Sequence, residues 1–203
     1  RQKRPLDKIY LFVPWIFRRD GSEYIIPAWL HAKEGVTIVR CEDHGPSTHM
    51  VEVLRYERHP DTYIFQVDDD QNYGPNLLDG LLHATGPLPG RAIGAATQHA
   101  HTQLGGLVLE GVHGVLFQRK FFDSTVFDVD KFSRHCRLHD DLWLSAHLAK
   151  RGVVRETLAD RVGTAPLSFG FASDALYNGG AGSDNTRNFY LCMNSLLQVH
   201  PQL

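Results

Sequence analysis

The run Thr62-Tyr63-Ile64-Phe65-Gln66-Val67 passes without a break into three aspartates, Asp68, Asp69 and Asp70. A short, β-rich apolar stretch of this kind reads as a buried strand. The acids are therefore delivered to the carboxyl end of a sheet, where open α/β folds keep their ligands. Three adjacent carboxylates repel one another, so solvent or a cation must hold them, and a divalent metal with hard oxygen ligands is the usual partner. An acidic turn that merely ends a strand is the plainer alternative.

Composition narrows the class. The chain has 203 residues, of which 42% are hydrophobic and 22% charged, with a formal net charge of −2. That is enough for one well-cored domain spanning residues 1–203. Acids and bases are interspersed, which gives no basic stripe and argues against a nucleic-acid partner. The three cysteines, Cys41, Cys136 and Cys192, follow no metal or redox spacing and are expected as reduced thiols, which favours a cytoplasmic setting. No apolar stretch approaches the ~20 residues of a membrane span, and no signal peptide is visible. The chain begins at Arg1 rather than Met, as an excised piece of a longer or membrane-anchored protein would.

Along the chain, the basic start through Arg4 reads as a solvated tail and Ile9 to Val13 as a first strand stopped by Pro14. Ser22 to Lys33 is helical in part only, because Pro27 interrupts it. Val36 to Val39 forms a second strand, and Ser47 is expected to cap a helix through Arg58. After the aspartates, Pro75 opens a helix toward Gly86. Strand and helix thus alternate over the first ninety or so residues, the pattern of a parallel, nucleotide-binding half. Further on, Arg91 to Ala95 and Val115 to Phe117 read as strands, Thr97 to Gly106 as a polar loop, and Asp140 to Arg151 as a helix stopped by Gly152. Gly179 to Asp184 reads as flexible, with Asp184 or Asn185 capping a last helix through Leu197.

Asp68 and Asp70, at alternate positions past a strand, can turn to one face and offer two-point coordination to Mg²⁺ or Mn²⁺ carrying a diphosphate. His99 and His101 form a His-x-His pair, but no third ligand has a zinc spacing, so a surface-loop or acceptor-site role is expected.

Four blocks now occur in a telling order: Glu42-Asp43-His44-Gly45-Pro46-Ser47-Thr48, Val67-Asp68-Asp69-Asp70-Gln71-Asn72-Tyr73, Leu109-Glu110-Gly111-Val112-His113-Gly114-Val115-Leu116-Phe117, and His139-Asp140-Asp141-Leu142-Trp143. The set resembles nucleotide-sugar-dependent glycosyltransferases of the GT-A fold over roughly Ile9 to Leu197, nearest to small viral and bacterial sugar transferases. The resemblance implies an α/β fold: one GT-A-like domain with a central, mostly parallel mixed sheet flanked by helices. Its Rossmann-like nucleotide-binding half would cover about residues 8–95 and its acceptor and catalytic half about 96–203.

What the resemblance implies for single residues follows the motifs. Pro14, Trp15, Asp43, Gly45, Pro46 and Thr48 would surround the nucleotide, with Asp43 bonded to the base. His49 stands where relatives often carry a lysine. Asp70 would anchor Mn²⁺ or Mg²⁺, Asp68 would face metal or ribose, and Asp69 would orient the loop within the donor site. Glu110, Gly111 and Gly114 would lie beside the donor sugar. Asp140 and Asp141 match an acidic pair whose second member is the general base in inverting enzymes. The family's late histidine ligand has no counterpart in Asp174 to Asn178, and His200 falls after the last helix.

The implied reaction moves a sugar from a nucleoside-diphosphate sugar, by family habit a UDP-sugar, to a hydroxyl of a glycan or other acceptor. Two alternatives stay open. A haloacid-dehalogenase-type phosphohydrolase also uses a post-strand Asp-x-Asp, but its nucleophile belongs on the first strand and is followed by Thr or Val, not Gln71 and Asn72. A non-catalytic nucleotide-sugar-binding module would keep the fold without the chemistry.

Overall fold

The computed structural model describes residues 2–18, 20–69, 71–86, 90–95, 100–101, 106–128, 136–158 and 185–199. The expectations for Asp70, His99, the glycine-rich stretch 179–184, residues 174–178 and His200 lie outside them, as does most of the 97–106 segment.

The chain is a mixed α/β protein. Strand β1 (Ile9–Pro14) pairs in parallel with β2 (Val36–Cys41), in the register Ile9 to Val36 through Pro14 to Cys41. Between them lies α1 (Ala28–His31), which Pro27 precedes with an extended backbone. Helix α2 (Thr48–Tyr56) follows a 3₁₀ turn at Gly45–Ser47. Ser47 itself is helical and makes no side-chain cap; Pro46 starts the turn ahead of it, so the expected cap is displaced.

A second sheet has the order β3 (Tyr63–Gln66), β7 (Val115–Gln118), β4 (Arg91–Gly94), β8 (Val154–Thr157). Only β4 with β8 is parallel; β7 runs antiparallel to both β3 and β4. Among the described residues the sheet is therefore not the mostly parallel one expected, and β3 has no ladder to the β1–β2 pair. The reason is that β7, from the second half of the chain, inserts between two strands of the first. Its residues Val115, Leu116, Phe117 and Gln118 are all buried, as a strand covered on both faces must be.

Alternation along the strands divides the core. Val115, Phe117, Ile64 and Ala92 pack toward Met50, Leu54, Trp143, Leu144 and Leu148, which lie on α2 and on α4 (Asp140–Lys150). Leu116 and Ile93 face the other way, onto Leu77, Leu78 and Leu81 of α3 (Leu77–Thr85). Each such Leu, Ile or Phe contributes about 1.5–3 kcal/mol by leaving water. The parallel pair joins this core through Tyr10 and Phe12, whose rings lie 5.8 and 5.9 Å from that of Tyr56.

Three further expectations are corrected. Gln2 Oε1 accepts a hydrogen bond from Leu78 N at 3.0 Å, and Lys3 N donates to Pro75 O at 2.8 Å, so residues 2–4 dock on the start of α3 instead of trailing as a tail. Cys136 and Cys192 form a disulfide that ties the 3₁₀ turn ahead of α4 to α5 (Asn185–Val199). Only Cys41 is left as a thiol, so the cysteines no longer favour a reducing compartment. Ala100–His101, inside the segment read as a loop, pairs with Gly106–Leu107 at its end as the short antiparallel strands β5 and β6. No helix among the described residues is long and apolar enough to cross a membrane.

Candidate functional site

Three segments distant in sequence meet where β3 ends. Gln66 closes β3, and two residues on Asp68 carries the acids past it. The turn Gly111–His113 leads into β7, whose pairing with β3 brings Val115 opposite Gln66. Helix α4 opens with Asp140 and Asp141. The contact that fastens them is a 2.9 Å hydrogen bond from Gly111 N to Asp141 Oδ1. Gly111 is needed for its size: a β-carbon there would stand 2.1 Å from Gln66 Nε2 and 3.4 Å from Asp141 Oδ1.

Tyr73 supports the same junction. Its hydroxyl accepts from Asp68 N at 2.8 Å and donates to Val112 O at 3.2 Å, linking the aspartate loop to the glycine turn. On α4, Ser145 Oγ accepts from Leu109 N at 3.0 Å, and Arg155 reaches in from β8 to the Ser145 carbonyl. These bonds fix the axial position of α4, and with it the acidic pair.

The electrostatics single out Asp141. Burial pushes its carboxyl well above the usual carboxylate range, and the neighbouring charge of Asp140 pushes it further. The Gly111 N–H bond pulls the other way, while Asp68 and Glu110 add to the rise. Asp140 is buried, and His49 Nε2 on the first turn of α2 lies 3.9 Å from its Oδ2, an ion pair when the imidazole is protonated. Glu110 Oε2 lies 3.2 Å from His113 Nε2. Asp69 is exposed and makes no part of this junction.

The residues expected around a nucleotide form a second group at the ends of β1 and β2. Pro14 is buried, whereas Trp15 is 60% exposed with the Arg40 guanidinium 5.3 Å from its ring. Trp15 is thus an open aromatic face and not core packing. Asp43 accepts from Arg18 N at 2.8 Å and from Gly45 N at 2.7 Å, so one oxygen holds its own turn and the other ties that turn to the segment after β1. Thr48 Oγ1 donates to Gly45 O and accepts from His44 N, closing the turn that contains Pro46. Gly114, at φ 88°, lies against Leu77, Phe65 and Tyr73 and serves the backbone turn into β7.

Among the described residues no three His, Cys, Asp or Glu side chains are grouped to hold a metal by themselves. Mg²⁺ is commonly held by one or two carboxylates plus substrate phosphates, so the Asp68 carboxylate could serve as one ligand to a cation of that type. Cys41 is no nucleophile: burial and the charge of Glu52 raise its thiol to about 11. A surface cavity of about 570 Å³ is lined by Arg4, Asn76, Asp79, Gly80, Leu82 and His83. It shares no residue with the acidic junction, and Arg4 and Asp79 already pair across 2.5 Å.

Sequence reasoning passed over Gln66 and the pairing of His49 with Asp140. The signal for Gln66 was present, since it precedes Asp68 by two and so shares its side of an extended chain. No family model, curated protein or solved structure matches this chain.

Proposed function

We propose that the chain is a glycosyltransferase that moves a sugar from a nucleoside-diphosphate donor, a UDP-sugar by preference, to an acceptor hydroxyl. The observation that carries this reading is the junction at Gly111, where the acidic pair of α4 is held against the end of the strand that leads to the aspartates. Transfer needs a base beside the donor's anomeric carbon, and the junction brings the Asp141 carboxyl within electrostatic reach of Asp68, the first of the three aspartates.

In this reading Asp141 takes the proton of the acceptor hydroxyl, and in-line attack inverts the anomeric carbon. Its raised proton affinity suits the role, because a base acts best when its pKa approaches the working pH. Gly111 N holds one carboxylate oxygen in place. Asp140, paired with His49, supports the base instead of sharing its work. Trp15 offers its exposed face to the nucleobase. Asp43 shapes the turn beside it through its two backbone bonds. Asp68, with Asp70 beyond the described residues, would hold Mn²⁺ or Mg²⁺, which when bound supplies positive charge to the departing diphosphate. The GT-A topology belongs to this proposal too; the parallel pair, the mixed sheet and the helices on its faces are compatible with it.

Thermal unfolding in the presence of UDP, GDP, CMP or dTDP, each with and without Mn²⁺, tests the donor side. A Mn²⁺-dependent rise with one nucleotide is expected, and a response indifferent to metal would refute the metal-dependent reading. Asp141→Asn is expected to abolish transfer while keeping that nucleotide response; unimpaired transfer would remove Asp141 from the mechanism. Phosphate release from simple phosphate esters without any sugar donor would instead favour the phosphohydrolase.

A further inference from the structure

Gln66 is 4% exposed, yet its side-chain Oε1 accepts no hydrogen bond. A buried amide oxygen without a partner destabilises a fold, so each one asks for an explanation. A ligand hydroxyl donating to Oε1 would supply one, and the other end of the amide has a neighbour that suits the same ligand. The amide nitrogen and Asp141 Oδ1 flank Gly111, at 2.1 and 3.4 Å from the position of its absent β-carbon. They are therefore no more than about 5.5 Å apart, a separation that one hydroxyl oxygen can bridge with two hydrogen bonds. An amide and a carboxyl together offer both a donor and an acceptor, the pairing that a sugar hydroxyl satisfies.

We propose that Gln66 is a specificity-determining residue, which with Asp141 reads one hydroxyl of the donor sugar. Its position on β3, two residues before Asp68, sets it on the donor side of the junction. The glycine at 111 leaves the amide in place, since any larger residue would occupy the space it fills. The inference rests on the glycosyltransferase reading and deepens it. It also explains why a strand with buried Ile64 ends on a buried polar side chain.

The test uses Gln66→Leu, which keeps most of the volume and removes the amide. Release of UDP by slow hydrolysis with Mn²⁺ is measured for UDP-glucose, UDP-galactose and analogues of each lacking a single ring hydroxyl. One analogue is expected to lose about 10- to 100-fold in kcat/KM with the wild type. Gln66→Leu is expected to lose as much on the parent donor and nothing more on that analogue. Its melting temperature should rise by about 2–4 °C, because the unpartnered oxygen is gone. Wild-type turnover with Gln66→Leu indifferent on every donor overturns the inference alone, as does a fall in melting temperature, which would make Gln66 a packing residue. If the wild type hydrolyses no donor, the glycosyl reading falls and the hydroxyl assignment falls with it.

Discussion

Gly111→Ala probes the junction most directly. Gly111 does not occupy the left-handed region, so an alanine there meets no backbone strain and its whole cost is steric. The new methyl would stand 2.1 Å from Gln66 Nε2 and 3.0 Å from its Cδ. The amide must therefore retreat by well over an ångström to reach ordinary van der Waals separation. An exposed glutamine would swing away at little cost, but Gln66 is 4% exposed and sits among β3, β7 and α4. Overpacking of this kind costs about 1–3 kcal/mol, which in a chain of this size lowers the melting temperature by about 2–4 °C for each kcal/mol. The assay is urea unfolding of wild type, Gly111→Ala, Gln66→Ala and the double variant. In the Gln66→Ala background the methyl has room, so the cost of Gly111→Ala should largely vanish. If it costs the same in both backgrounds, the clash with Gln66 is not what fixes this residue. Because Gly111 N also bonds Asp141 Oδ1, the single variant should lose turnover out of proportion to its stability.

Three other outcomes follow from the same structure. Asp141 is held well above the usual carboxylate range by burial and Asp140, so the folded state binds its proton more tightly than the unfolded state does. Stability from this group is full below about pH 3.9 and is lost as pH rises through the folded-state value. Asp141→Asn should therefore be more stable than wild type at neutral pH and flatter in its stability profile, and a steeper decline at rising pH would refute the assignment. Reducing Cys136–Cys192 opens a link across 56 residues, worth about 4 kcal/mol in the chain-entropy description, so dithiothreitol should lower the melting temperature by about 8–16 °C. Trp15→Ala should leave the melting temperature of the free protein nearly unchanged, since the ring is 60% exposed, while weakening nucleotide binding about tenfold in calorimetry.

What was legible in the sequence was local. The strand before the aspartates, the helix stopped at Gly86 and the helix between Asp140 and Gly152 were all marked by residues within their own span. Their limits moved by a residue or two, as with α2, which ends at Tyr56 instead of Arg58. Partnership between elements was not legible. Nothing in Val115-Leu116-Phe117-Gln118 says that it inserts antiparallel between β3 and β4, because a ladder joins residues far apart along the chain. Cysteine spacing likewise could not pair Cys136 with Cys192, which meet only because α5 packs on α4.

The candidate site divides along the same line. By itself the sequence determined which chemical groups are present and in what order: the aspartate block, the glycine turn and the acidic pair, each recognisable from neighbours within a few residues. The tertiary structure alone decided that Gly111 binds Asp141, that Gln66 lies buried against Gly111, that His49 faces Asp140, and that Asp43 spends one oxygen on its own turn and the other on Arg18. It also decided that Asp141 holds its proton tightly while Asp69 stands in solvent. The identity of a carboxylate is written in the chain, but its proton affinity depends on the dielectric and charges that the fold assembles around it.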